Sequence, residues 1–170
     1  SAPLLLVVAF GFFGIGVILF LAILTLVIAR LALRDPLPAA MAPTMWIPLA
    51  PAGMIGLAFM RLMESAEKAG ADGFAAGATG VVVAAMGIGF GLWWASFAVL
   101  ELQRMRRTSG VPVHPGWWGF VFPIAAMTLS ITAVGAATDS AVVQWAGALA
   151  TALLTVVWLL VAARTLGLLR

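Results

Sequence analysis

The sequence predicts an all-α integral membrane protein, with five transmembrane helices arranged as repeated hairpins whose inner helices are kinked by proline. Three observations predict it. The chain has 170 residues, 64% of them apolar and 9% charged, with a mean hydropathy of +1.17. A soluble domain has about 45–50% apolar and about 25% charged residues. The excess is spread over five runs, each near the ~20 apolar residues that a helix needs to cross a bilayer. Finally, one pattern occurs twice. Pro43, Trp46 and Pro51 return as Pro115, Trp118 and Pro123, each 72 residues later. A fixed offset of that kind marks an internal repeat, here of residues 43–107 in 115–170.

The first span covers about 4–28 and ends before Arg30 and Arg34. The loop Asp35-Pro36-Leu37-Pro38 follows, and its prolines stop the helix. The second span covers about 44–63, followed by a polar stretch, 64–73, that reads as a surface loop. The third covers about 74–100 and closes on the polar run from Glu101 to Arg107, with a loop from Thr108 to His114. The fourth, about 116–137, opens on Trp117-Trp118 and is interrupted by Pro123. Asp139-Ser140 makes a short turn into the fifth, about 142–163, which precedes Arg164 and Arg170. Hydrocarbon offers the backbone no partners, so these spans must be helices. A barrel would need alternation with period 2, and none is present.

Basic residues set orientation. With the first helix ending in the cytoplasm, Arg30, Arg34, Arg104, Arg106, Arg107, Arg164 and Arg170 lie inside, and only Arg61 and Lys68 lie outside. The chain then starts outside and ends inside, as a multi-pass protein of the inner or plasma membrane. The pI of 11.2 does not signal nucleic acid, because the basic residues are scattered at helix ends rather than gathered in a patch. The beginning, Ser1-Ala2-Pro3, lacks both an initiator Met and the basic region of a signal peptide, so a fragment or processed half of a larger protein is expected.

Composition also bounds the chemistry. Cysteine is absent and His114 is the single histidine, so no metal site or cofactor is expected. Every Asp and Glu lies at a helix end or in a loop, which leaves no intramembrane acid–base pair for an enzyme. Glu64 and Glu67 read as a solvated helix end, and His114 as an inert loop residue between Pro112 and Pro115. The arginines at 104, 106 and 107 set topology or hold anionic lipid. Gly73-x3-Gly77, Gly87-x3-Gly91 and the trio Gly11, Gly14 and Gly16 suit close helix contact.

The prolines carry most of the functional signal. Pro123 leaves the carbonyl of Gly119 without its usual donor, and Pro51 does the same to Ile47. Broken helices at matched places in two repeats point to a transport path. Steps of three or four residues from Phe122 reach Ala126, Ser130 and Ala133. The same rule from Ala50, the repeat equivalent of Phe122, reaches Met54, Ala58 and Arg61. These mostly small faces assign the second and fourth helices to an inner ring and the first, third and fifth to a lipid-facing outer ring. Phe122 is the bulky residue of the inner faces, placed to plug a passage.

The runs Pro43 to Gly53 and Trp117 to Ala126 resemble signature helices of the tellurite-resistance and C4-dicarboxylate transporter family, which includes the plant slow anion channels. The resemblance covers nearly the whole chain but half the family's length, with the five spans answering family helices six to ten. It implies ten helices in five hairpins around a pore, proline-kinked inner helices, a phenylalanine gate at Phe122 and a trimer with one pore per subunit. The implied substrate is a small anion such as chloride, nitrate, malate or another C4-dicarboxylate, or tellurite. Five helices cannot close a five-hairpin pore, so the expected partners beside lipid are an N-terminal-half chain or further copies in a homotrimer. The alternative is a structural subunit that packs on a larger membrane complex and carries nothing.

Overall fold

The computed structural model describes residues 2–70 and 76–168. Among them it contains no strand, and five helices are long and apolar enough to cross a membrane. They are α1 (Ala2–Leu33), α2 (Leu49–Lys68), α3 (Ala76–Thr108), α4 (Trp118–Thr138) and α5 (Ala141–Gly167). A 3-10 segment, Ala39–Trp46, leads into α2, and a shorter one, Pro115–Trp117, leads into α4.

The helices outrun the apolar spans that predict them. Glu64 to Lys68, expected in a loop, is helix, and α3 continues through Glu101 to Thr108. Arg, Glu, Gln and Lys are good helix formers, so leaving the hydrocarbon does not end a helix. Ion pairs one turn apart support both extensions, Arg61–Glu64 at 2.9 Å and Glu101–Arg104 at 2.8 Å. Ala69 and Gly70 then form a turn, and the rest of that expected loop, 71–73, lies outside the described residues.

The start of the second span departs furthest from expectation. Regular α-helix begins at Leu49 rather than near residue 44. Pro38, Pro43, Pro48 and Pro51 crowd this stretch, and each removes a backbone donor. The chain responds with tighter bonds: Ile47 N–H donates to the Thr44 carbonyl and Ala50 N–H to the Ile47 carbonyl, each three residues back. The Met45 carbonyl is satisfied from another helix. The indole Nε1 of Trp94, on α3, donates to it at 2.7 Å, with the Trp94 side chain only 1% exposed. By contrast, α4 runs on through Pro123 as one helix.

Burial separates the helices as the small faces suggested. The apolar windows of the second and fourth spans are 39% and 50% buried, against 0%, 22% and 11% for the first, third and fifth. α3 packs on α2, α5 on α4, and α4 on α2. α1 leans on this group through Phe13 against Phe59 and Phe20 against Phe90, with ring centroids 5.6 and 6.4 Å apart. The α1 glycines are the exception to the close-contact expectation. A Cβ at Gly11, Gly14 or Gly16 would meet nothing within 4 Å. Gly87 and Gly91 of α3 do sit against neighbours, Ala52 and Met127. The Gly73-x3-Gly77 pair extends outside the described residues.

His114 ties the two 3-10 segments together. Its Nδ1 accepts from Gly116 N–H at 3.1 Å, and its Nε2 lies 2.9 Å from the Ala40 carbonyl. The neutral ring with hydrogen on Nε2 satisfies both. The residue expected to be inert is a clamp between loops.

Replacing Trp94 with Phe keeps most of the apolar bulk but leaves the Met45 carbonyl without its donor. The expected cost is about 1 kcal/mol, in the range for a lost buried hydrogen bond in a membrane protein. Thermal unfolding in detergent checks it: Trp94→Phe should melt below the parent, while Trp93→Phe, at an exposed position, should not.

Candidate functional site

α2 and α4 lie side by side and parallel. Gly119 rests against Pro43, the Phe120 ring meets the Trp46 ring edge-on at 5.7 Å, and Gly53 faces Ala126. Each pair is separated by slightly more than the 72-residue offset, so equivalent parts of the two hairpins lie at the same level. The approach is backbone to backbone. A Cβ on Gly53 would stand 2.6 Å from the Ala126 carbonyl oxygen, and one on Gly56 2.5 Å from the α-carbon of Ala84.

This contact divides the residues singled out by sequence. Ala50, Pro123, Ala126 and Ser130 are buried on the packed sides. Phe122, 65% exposed, stands on the open side of α4 beside Trp118, Ala125 and Leu129. Pro51, Met54, Ala58 and Arg61 follow Ile47 along the open side of α2. Helix geometry explains the split. Each four-residue step advances about 400°, so Ala126 is turned about 40° from Phe122 and Ser130 about 80°. A seven-residue step returns to within about 20°, which is why Leu129 shares the side of Phe122.

The repeat register adds a second relation. Ala50 and Gly53, on the side of α2 that meets α4, correspond to Phe122 and Ala125, on the open side of α4. Met54 and Ala58, on the open side of α2, correspond to Ala126 and Ser130, buried on α4. Each inner helix therefore has two packing edges, and this chain joins one edge of each.

The open sides are weakly charged. Arg61 pairs with Glu64 at 2.9 Å, with the two side chains 63% and 41% exposed, so the pair contributes at most about 1 kcal/mol and largely cancels its own field. A cavity of about 690 Å³ lies between α1 and the start of α2, with Ile47, Pro48, Pro51 and Trp94 in its wall. Phe122 is not among its lining residues.

Comparison with known proteins bears on what such a pair of hairpins does. The voltage-dependent anion channel family matches residues 1–166. The chain belongs to that family. An uncharacterized transporter of Methanocaldococcus jannaschii is 33% identical over 117 residues, covering 69% of this chain and 32% of the relative. A second uncharacterized transporter of that organism is 33% identical over 111 residues, or 65% of this chain and 31% of the relative. A sulfite efflux pump of Trichophyton rubrum is 28% identical over 172 residues, covering 96% of this chain and 45% of the relative. The chain thus spans less than half the length of these curated relatives. No solved structure matches it. Family and helices together make this a multi-pass membrane protein of an anion-transporting family.

Sequence reading did not single out Trp94, nor did it bring Trp46 and Trp117 together around Phe120 as one aromatic cluster. The signal was present. A tryptophan inside an apolar helix needs an acceptor for its N–H, and prolines in a neighbouring span create acceptors.

The close approach at Gly53 is testable by side-chain size. Gly53→Ala would force the backbones of α2 and α4 apart, at an expected cost of roughly 1–3 kcal/mol. Gly89→Ala, whose Cβ meets nothing within 4 Å, should be neutral or stabilising by up to about 1 kcal/mol through helix propensity. Melting temperatures of the two variants in one detergent should fall on opposite sides of the parent or differ clearly.

Proposed function

We propose that this chain forms part of the wall of a conduit for small anions, with Phe122 as a plug that narrows it. The observation that carries the reading is the parallel pairing of α2 and α4, both proline-bearing, in a chain whose match to the anion channel family runs nearly end to end. In this reading the open edges at Met54 and Phe122 receive further inner helices. These come from residues outside this chain or from a second polypeptide, which fits a chain covering 45% of a fungal relative's length. The complete pores assemble as a trimer in the inner or plasma membrane, with the arginine-rich helix ends in the cytoplasm.

Such a conduit would select anions without a fixed counter-charge. Arg61 is held by Glu64, so discrimination would rest on passage width, oriented backbone dipoles and the net +3 charge of the chain. A small oxyanion suits this design, and the sulfite efflux pumps among the relatives add support. Chloride, nitrate, C4-dicarboxylates and tellurite are the other candidates to assay.

The test is flux through the full-length protein carrying this chain, reconstituted in liposomes. Phe122→Ala should raise anion flux and Phe122→Trp should lower it. Fluxes of both variants equal to the parent would remove Phe122 as the plug.

A further inference from the structure

A crevice of about 510 Å³ opens at the arginine-rich end of the bundle, away from the edges where further helices would join. It lies where the last turns of α3 and α5 straddle the start of α4, and every wall comes from this chain. Its deep part is aliphatic, formed by Leu102, Ile124, Val157 and Val161. Arg106 of α3 and Arg164 of α5 line its outer part. From Arg164 back to Val157 is about 10 Å along α5, the distance from headgroup depth into hydrocarbon. No Asp or Glu lines it.

Two features of the crevice are unsatisfied. Arg106 and Arg164 have no hydrogen bond or ion pair among the described residues. Arg30, Arg61 and Arg104 have acceptors, the Asp35 carbonyl, Glu64 and Glu101; Arg34 and Arg107 also have none among the described residues, but they do not line the crevice. The indole Nε1 of Trp46, also in the wall, is buried and has no acceptor. A buried N–H of this kind costs free energy until an acceptor arrives. A helix-end arginine alone needs no explanation beyond the helix dipole and topology. Two on different helices, bordering one aliphatic crevice with no carboxylate in its wall, do.

We propose that the crevice holds one acidic phospholipid. The phosphate sits at Arg106 and Arg164, and an acyl chain follows Val157, Val161 and Ile124 inward. A free anion would leave the aliphatic walls wet, and a neutral lipid would present less negative charge to the arginines. The bound lipid would join the end of the α2–α3 hairpin to the α4–α5 hairpin.

Native mass spectrometry of the full-length protein, delipidated and offered equal phosphatidylglycerol and phosphatidylcholine, tests this. Phosphatidylglycerol should be preferred by roughly tenfold or more, as two arginine contacts to an anionic headgroup imply. Arg106→Gln with Arg164→Gln should abolish the preference, and Arg106→Lys with Arg164→Lys should keep most of it. Arg104→Gln, which removes a paired arginine, should leave it intact. Equal binding of the two lipids, or a preference that survives the double Gln variant, overturns the proposal. So does competition by millimolar inorganic phosphate, which would assign the arginines to a soluble anion. These readouts do not depend on transport, so they stand whether or not Phe122 is a plug.

Discussion

A backbone carbonyl inside a membrane must find its donor within the protein, and proline removes donors. The structure depends on how that constraint is met at the start of the second span. Four prolines between residues 38 and 51 prevent a regular helix there, and the Met45 carbonyl takes its bond from Trp94 on α3. That single bond links the 3-10 segment to its own hairpin partner. With the segment held, Trp46 meets Phe120 and Pro43 meets Gly119, which sets the position of α4. The bend serves as the joint between the two hairpins.

Close packing does the rest. Lipid tails are as apolar as leucine, so burial of aliphatic surface draws membrane helices together only weakly, and small residues that let backbones touch matter more. Gly53, Gly56 and Gly87 supply that contact, and their neighbours are backbone atoms of α4, α3 and α2 respectively. α1 shows the converse. Its glycines face open space and its apolar window is unburied, so it is held by aromatic contacts at Phe13 and Phe20. An element with such a face is suited to a neighbour outside this chain. In the proposed conduit the open sides of α2 and α4 receive further helices in the same way.

Charge is distributed with similar economy. Arg61 and Arg104 are neutralised within one turn of helix, and Arg30 caps the loop that follows α1. Arg106 and Arg164 are left to face a crevice with an aliphatic floor. The positive end of the bundle thus sets two arginines on different helices beside one aliphatic crevice.

How much of this is legible in the sequence follows from which forces are local. Hydropathy is summed residue by residue, so five spans and their helical state can be read directly. The Pro–Trp–Pro repeat is likewise a matter of spacing, and its two runs carry the resemblance to the family. Boundaries were less legible, because Glu64 to Lys68 and Glu101 to Arg107 are polar yet strongly helical. The division of the candidate site could not be read at all. Ala50, Ala126 and Ser130 share composition with a passage lining, and only the rotation of each helix against its neighbour buries them while leaving Phe122 and Met54 open. That rotation is set by contacts between residues tens of positions apart: Gly53 with Ala126, Trp94 with Met45. Sequence alone determined the class of the protein, because solvent preference belongs to each residue. Tertiary structure alone decided which side of each helix faces outward, because that depends on which backbone carbonyls and glycines meet.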